Sequence, residues 1–196
     1  GSAVLVHNRP TPSNMTEAIA ANKVTHFYAV PSFYSAMMAD DGFSAAIAAG
    51  LYSSLEVCVS AGEALPAPLC DRWMKATGVP VLDGIGSTEL LHIFIANRPN
   101  DISPGCTGRP IWGYDARVVN EDGNDVAPDV VGDLWVCGDS ACIGYWNRHE
   151  ATKRALRGKW FVTGDKYRVD SEGYYWYAGR SDDMFKVHGQ WVSPLK

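Results

Sequence analysis

The sequence predicts an α/β layer, a mostly parallel sheet with flanking helices, followed by a small β-barrel subdomain. Three observations lead there. Over residues 4–100, apolar runs of strand length alternate with segments of helical period. After Pro99 the texture changes to short runs rich in Trp, Tyr and Val, punctuated by glycines from Gly105 to Gly179. Between these regions an apolar run ends at Val81-Leu82 and opens into Asp83-Gly84-Ile85-Gly86-Ser87-Thr88-Glu89, where two glycines precede two hydroxyls and a carboxylate.

The elements follow in order. Residues 4–7 form a short apolar run, an edge or truncated strand, broken by Asn8-Arg9-Pro10. Thr11-Pro12 is a helix start, with Thr11 as cap and Pro12 in the first turn, and Met15, Ala18, Ile19 and Asn22 mark one face. Residues 24–30 read as a continuous strand stopped by Pro31, after which Phe33, Ala36 and Met37 recur at helical spacing. Residues 55–60 are the next strand and Ala61-Gly62-Glu63 its turn. Pro66 then begins a helix lined by Leu69, Cys70, Trp73, Met74 and Thr77, and Gly78 ends it. Residues 79–82 lead into the glycine-bearing turn. Farther on, strands are predicted over 115–120, 132–137 and 174–178, with Glu121-Asp122-Gly123 as a turn and a short helix over 150–156. Residues 182–196 begin something else, with a strand-like run at 184–187.

Composition excludes several classes. The chain has 196 residues, 46% of them hydrophobic, enough for a real core. Its 17 basic and 22 acidic residues give a net charge of -5, and no basic run could track a phosphate backbone, which argues against a nucleic-acid partner. No apolar stretch approaches the roughly 20 residues that span a bilayer, so a membrane partner is not expected and the localisation expected is cytoplasmic. The five cysteines include no Cys-x-x-Cys pair and read as small core residues rather than a disulfide framework or zinc site.

In open parallel sheets, ligands sit beyond the carboxyl ends of strands. Ala61-Gly62-Glu63 and residues 84–89 both fall there, after successive strands. Thr88 offers a hydroxyl donor and Glu89 a hard oxygen ligand, the pair needed to hold a phosphate oxygen and a divalent cation side by side. The alternative is a helix cap at Thr88 with Glu89 solvated.

Four segments then stand in order: Ser60-Ala61-Gly62-Glu63, Asp83 to Glu89, Trp160-Phe161-Val162-Thr163-Gly164-Asp165, and Gly179-Arg180-Ser181-Asp182-Asp183-Met184-Phe185-Lys186. Together they resemble the adenylate-forming superfamily of acyl-CoA synthetases, luciferases and peptide-synthetase adenylation domains. Within it, Asp83 to Phe94 and Lys186-Val187-His188-Gly189-Gln190-Trp191-Val192-Ser193-Pro194 are similar to the benzoate-CoA ligases. The resemblance covers nearly the whole chain. It implies a ligase that uses ATP, magnesium and coenzyme A to activate an aromatic carboxylic acid as an acyl-adenylate and pass it to the CoA thiol. Oxide leaves a carboxylate badly and AMP leaves well. Attack on the α-phosphorus brings anions together, so a cation and donors must offset developing charge, one well-placed donor being worth roughly 3 kcal/mol.

By resemblance, Thr88 contacts the α-phosphate and Glu89 holds magnesium. Asp165 accepts both ribose hydroxyls, and Arg180 adds a donor to ribose or phosphate. A plain turn at Thr163-Gly164-Asp165 and a surface ion pair at Arg180 are the alternatives. Adenine is expected between Gly62, Glu63 and the strand end Asp83, Gly84 and Ile85. Many relatives carry tyrosine where this chain has Ile85, so adenine contact here would depend on apolar packing. The aryl group would rest against Ala61, Gly62, Gly86, His92 and Ile93, the small residues leaving room for a flat ring and Ile93 closing its edge. His92 has a competing reading as a packed histidine with a structural hydrogen bond. Asp182 takes the hinge position, with a plain interdomain linker as the alternative, and Gly189 would approach CoA.

The family's phosphate loop, a Ser/Thr/Gly run ending in Pro-Lys, is absent from these residues, as is its late catalytic lysine; Lys196 lies too early to replace it. The expectation is therefore an interior portion of a longer ligase: residues 1–100 ending the α/β subdomain, 101–181 the β-barrel subdomain, and 182–196 the hinge and the start of a further domain. The remainder of the ligase chain would then be a partner, and the isolated chain would have no appreciable turnover. Two rivals remain, an adenylating enzyme for another carboxylic acid and a non-catalytic binding module of the same fold. An amine substrate would require an acidic pocket residue, for which Glu63 is the candidate.

Overall fold

The computed structural model describes residues 10–183, 185–187 and 190–192, the last six through their backbone alone. Two compact units divide the chain, Gly1–Leu82 and Asp83–Lys196. The strand expected at residues 4–7 lies outside the described residues, as do Gly189 and Lys196.

In the first unit, Thr11 is extended. Its hydroxyl accepts from the Asn14 amide at 3.3 Å while Asn14 Oδ1 accepts from the Thr11 amide at 2.8 Å. This reciprocal cap, with Pro12 needing no amide partner, starts helix α1 (Pro12–Asn22) and buries Ile19. Strand β1 (His26–Ala29) is shorter than expected, and Pro31 opens α2 (Pro31–Ala39). Here the residues facing the core need correction: Tyr34 and Met37 are buried, whereas Ala36 is exposed. The Tyr34 hydroxyl lies 3.1 Å from Phe27 O and 3.0 Å from Val59 O, so a polar tip finds partners inside and its ring can be buried. A short α3 (Phe43–Ala48), unforeseen in the sequence, precedes β2 (Val57–Ser60). β1 and β2 pair in parallel, from His26 opposite Val57 to Ala29 opposite Ser60. Helix α4 (Ala67–Thr77) ends at Gly78, whose φ of 73° suits glycine. Its Trp73 is fully buried, edge-on to Tyr34 at 4.9 Å and near Phe43 and Tyr52.

Strand β3 (Val81–Gly86) carries the chain into the second unit. After a 3-10 turn at Thr88–Leu90, β4 (Ile93–Ala96) returns antiparallel to β3, and β5 (Arg109–Pro110) pairs antiparallel with β4. So short a return permits only antiparallel pairing, so the parallel expectation holds for β1 and β2 and not for this hairpin. Next come β6 (Tyr114–Val119), β7 (Gly132–Gly138), α5 (His149–Ala155), β8 (Leu156–Arg157), β9 (Trp160–Val169) and β10 (Tyr175–Arg180). They form an antiparallel sheet ordered β10-β9-β7-β6 with β8 on β9, curled into a half-barrel over Leu90, Phe94, Ile95, Val118, Leu134 and Phe161. Between β6 and β7, Asn120 Oδ1 accepts the amides of Asp122 and Asn124, fixing the expected turn at Gly123. β11 (Phe185–Val187) and β12 (Gln190–Val192) make a separate hairpin.

The cysteines are free. Cys58, Cys70, Cys106 and Cys137 are buried as core residues, and Cys142 is half-buried. Among the described residues no helix is long and apolar enough to cross a membrane.

Candidate nucleotide site

The glycines of Asp83-Gly84-Ile85-Gly86 lie within β3, not in the turn that the sequence suggested. Each makes room for the returning strand. A Cβ on Gly84 would meet the Ile93 side chain at 3.1 Å, and one on Gly86 would meet His92 O at 2.3 Å, where the register shifts. Strand pairing therefore accounts for glycine at these positions, and the missing Gly86 side chain is directed at backbone. The turn proper is Thr88–Leu90. Ser87 precedes it as cap without a capping side-chain bond, so Thr88 is not the cap; it is exposed, and its hydroxyl has no hydrogen bond among the described residues. Leu91 closes the turn at φ 75°, ψ -48°, conformationally costly for a branched side chain.

Glu89 is half-buried and not simply solvated. Its Oε1 accepts the Tyr145 hydroxyl at 2.7 Å, and its main-chain oxygen accepts the Cys142 amide at 2.7 Å. Burial would raise its carboxyl pKa. The Tyr145 hydrogen bond, Glu89's own backbone, the nearby Ser87 hydroxyl and the positive charge of Arg180 outweigh that and lower it. Ser87 Oγ is buried and completes no hydrogen bond of good geometry.

Arg180 connects this turn to the other motifs. Its Nη1 lies 2.9 Å from Asp165 Oδ1, with Gly164 beneath the guanidinium at φ 77°; a Cβ there would meet Arg180 Nη2 at 3.1 Å. Asp165 is 8% exposed, and burial raises its carboxyl despite the opposing Arg180 bond. Tyr167, on the same strand, donates to or accepts from the Thr107 hydroxyl at 3.1 Å. Its phenol is pushed well up, first by burial and then by the charges of Asp165 and Asp83. Asp83 is itself buried, with Oδ1 unpartnered, and its carboxyl is pushed up to about 8 by desolvation. Asp83, Glu89, Asp165 and Arg180 thus act on one neighbourhood of the second unit. Arg180 is the ion pair of the alternative reading as well as a member of this cluster.

Ala61, Gly62 and Glu63 belong to the first unit. Gly62 holds φ 92°, which explains glycine there, and Glu63 is exposed with Ser32 Oγ 3.2 Å from its Oε1. His92 is exposed and its ring has no hydrogen bond among the described residues, which removes the packed-histidine reading; Ile93 is half-buried in β4. Asp182 is exposed immediately after an anchored residue: the Ser181 amide donates to Gly164 O at 2.8 Å, and its hydroxyl donates to Asp133 Oδ1 at 3.0 Å. A surface cleft of about 430 Å³ lies elsewhere, along Gly113–Asp115, Cys137–Asp139 and Lys159, and contains none of these residues.

Sequence reasoning missed Tyr145, which is 56 residues from Glu89 in the chain and in a segment without helical or strand period. Only the Gly144-Tyr145 pair, a glycine before an aromatic outside regular structure, hinted at it.

The family described as AMP-binding enzyme matches residues 1–146. This chain belongs to that family. Other comparisons with AMP-binding enzymes agree. The benzoate–CoA ligase of Thauera aromatica is 44% identical over the whole chain, which spans 36% of that protein's length. The crystal structure of the anthranilate CoA ligase AuaEII in complex with anthranoyl-AMP superposes with a TM-score of 0.87 at 48% identity, over 93% of this chain and 35% of that one. A benzoate CoA ligase from Burkholderia xenovorans LB400 gives 0.86 at 40% identity, over 96% and 37%. The chain therefore has part of the adenylate-forming fold.

The residues present fit a magnesium nucleotide. Asp83 Oδ1 is an orphan acceptor suited to an amino group, and Asp165 keeps a second oxygen for a hydroxyl donor. Glu89 keeps Oε2 for a hard cation, beside the free Thr88 hydroxyl.

Proposed function

We propose that this chain is the central portion of an AMP-forming aryl-CoA ligase, which activates benzoate or a related aromatic acid with ATP and magnesium and transfers the acyl group to coenzyme A. Residues 1–100 would close its α/β subdomain, 101–181 form its β-barrel subdomain, and 182–196 carry the hinge at Asp182 and the approach of Gly189 to CoA. Activity belongs to the longer chain, in the cytoplasm. The observation that carries the reading is the ion pair of Arg180 with buried Asp165 at 2.9 Å, which joins the Thr163-Gly164-Asp165 and Gly179-Arg180 motifs in one place. The benzoate–CoA ligase of Thauera aromatica and the anthranoyl-AMP complex support the aryl acid as substrate.

In this reading Asp165 accepts the ribose hydroxyls and Arg180 fixes Asp165 while offering its remaining N–H groups to ribose or phosphate. Thr88 donates to the α-phosphate, and Asp83, Gly84, Ile85, Gly62 and Glu63 serve adenine. Ala61, Gly62, Gly86, His92 and Ile93 serve the aryl group. Magnesium, held by Glu89, supplies charge neutralisation at phosphorus.

Pyrophosphate release by the full-length ligase against a panel of aromatic acids tests the proposal. Release with benzoate-like acids, abolished by Glu89→Gln with the fold intact, supports it. Release only with non-aromatic acids favours another adenylating enzyme, and activity unchanged in Glu89→Gln, or no activity with any acid, favours a non-catalytic module.

A further inference from the structure

The segment between β7 and α5 grips the Thr88–Leu90 turn at several points. Ser140 Oγ donates to Leu90 O at 2.8 Å, the Cys142 amide donates to Glu89 O at 2.7 Å, and the Tyr145 hydroxyl donates to Glu89 Oε1 at 2.7 Å. Tyr114 joins this grip, with its hydroxyl 3.0 Å from Leu90 O and 2.6 Å from Ser140 Oγ. Tyr145 is itself held from behind. Its amide donates to Thr152 Oγ1 of α5 at 2.9 Å, and the preceding Gly144, at φ 150°, lies so close to Thr152 that a Cβ there would meet Thr152 Cγ2 at 2.8 Å. One loop thus fixes both the main chain of Glu89 and one of its two carboxylate oxygens.

We infer that Tyr145 is a positioning residue for the Glu89 carboxylate, occupying Oε1 so that Oε2 alone is presented to a divalent cation. The inference rests on the reading of Glu89 as magnesium ligand in the proposed ligase. A carboxylate on three rotatable bonds would otherwise sample several orientations, including one that offers both oxygens. Magnesium demands near-octahedral geometry and takes few protein ligands, so a one-oxygen, pre-oriented carboxylate suits it. Partners that orient a metal ligand commonly contribute about tenfold or more to affinity. The Glu89–Tyr145 pair is partly exposed, which places the expected effect near the lower end of that range.

The test uses the full-length ligase and its Tyr145→Phe and Glu89→Gln variants, with Mn2+ as probe. Binding of Mn2+ in the presence of a non-reacting ATP analogue is followed by water-proton relaxation, alongside the magnesium dependence of turnover and thermal melting. For Tyr145→Phe we expect a melting point close to the parent's, Mn2+ affinity about tenfold weaker, and a matching rise in the magnesium concentration for half-maximal rate, with KM for the acid unchanged. Unaltered Mn2+ affinity in Tyr145→Phe, whether or not turnover falls, overturns the inference when Glu89→Gln has lost Mn2+ binding. Retention of Mn2+ binding by Glu89→Gln defeats the underlying assignment of Glu89, and the inference with it.

Discussion

Replacing Asp83 with asparagine separates the cost of a buried charge from the shape of the site. Asp83 is 7% exposed, its Oδ1 has no hydrogen-bond partner, and burial lifts its carboxyl from 3.8 to about 8. With the folded-state value above the unfolded one, the stabilising contribution belongs to the protonated carboxyl. It is fully present below about pH 4 and is lost as pH rises through about 8. At 1.36 kcal/mol per pKa unit the full loss is at most about 6 kcal/mol, and relaxation with water entry reduces it to roughly 2 to 3. Asparagine keeps the size and carries no charge. Asp83→Asn should therefore match the parent near pH 4 and exceed its stability by roughly 2 to 3 kcal/mol near pH 9. Urea denaturation followed by tryptophan fluorescence across that pH range measures the difference. A stability difference that does not change with pH, or a variant weaker than the parent at pH 9, refutes the reasoning. An unpartnered buried oxygen kept at such a cost is what a site awaiting a ligand donor would retain.

Further outcomes follow from the same packing. Trp73→Ala should cost roughly 3 to 5 kcal/mol by calorimetry, since the ring is wholly buried among Tyr34, Phe43 and Tyr52; a loss under about 1 kcal/mol would contradict that core. Asp133→Asn removes the negative charge 2.8 Å from buried Lys166 Nζ while keeping an oxygen acceptor for Ser181 Oγ, and should lower stability by about 3 kcal/mol in denaturant titrations; no loss would mean that the charge pair is dispensable. Leu91→Gly relieves a positive φ on an exposed side chain and should leave the melting temperature equal or a few degrees higher, by about 1 kcal/mol, whereas a marked drop would show that the leucine contributes packing.

The helices were legible where local chemistry dictates them: the Thr11 cap, proline at the start of α1 and α2, and Gly78 ending α4 all act within one turn. Strand existence after residue 100 was legible in part: β6, β7 and β10 carry dense Val, Trp and Tyr, whereas β9, the longest strand and the partner of β7, β8 and β10, was not foreseen, because Thr163-Gly164-Asp165 within it has the composition of a turn. Pairing direction was not legible. Gly84 and Gly86 look like turn residues in a linear reading, and only the approach of Ile93 and His92 from β4 reveals why they are glycines. Burial on α2 was misjudged because Ala36 has the right hydrophobicity while Tyr34 has the right partners. The motif order identified the family, whereas the Tyr145 contact with Glu89 joins distant segments that share no period and had no local signal.

The assignment of Asp83, Thr88, Glu89, Asp165 and Arg180 to one nucleotide is tested most directly by a crystal structure of the full-length ligase with a non-hydrolysable benzoyl-adenylate analogue. The account predicts ribose hydroxyls on Asp165, the phosphate mimic at Thr88, and the adenine amino group within reach of Asp83. An analogue bound with its ribose away from Asp165, or seated in the cleft lined by Asp115, Asp139 and Lys159, would contradict it.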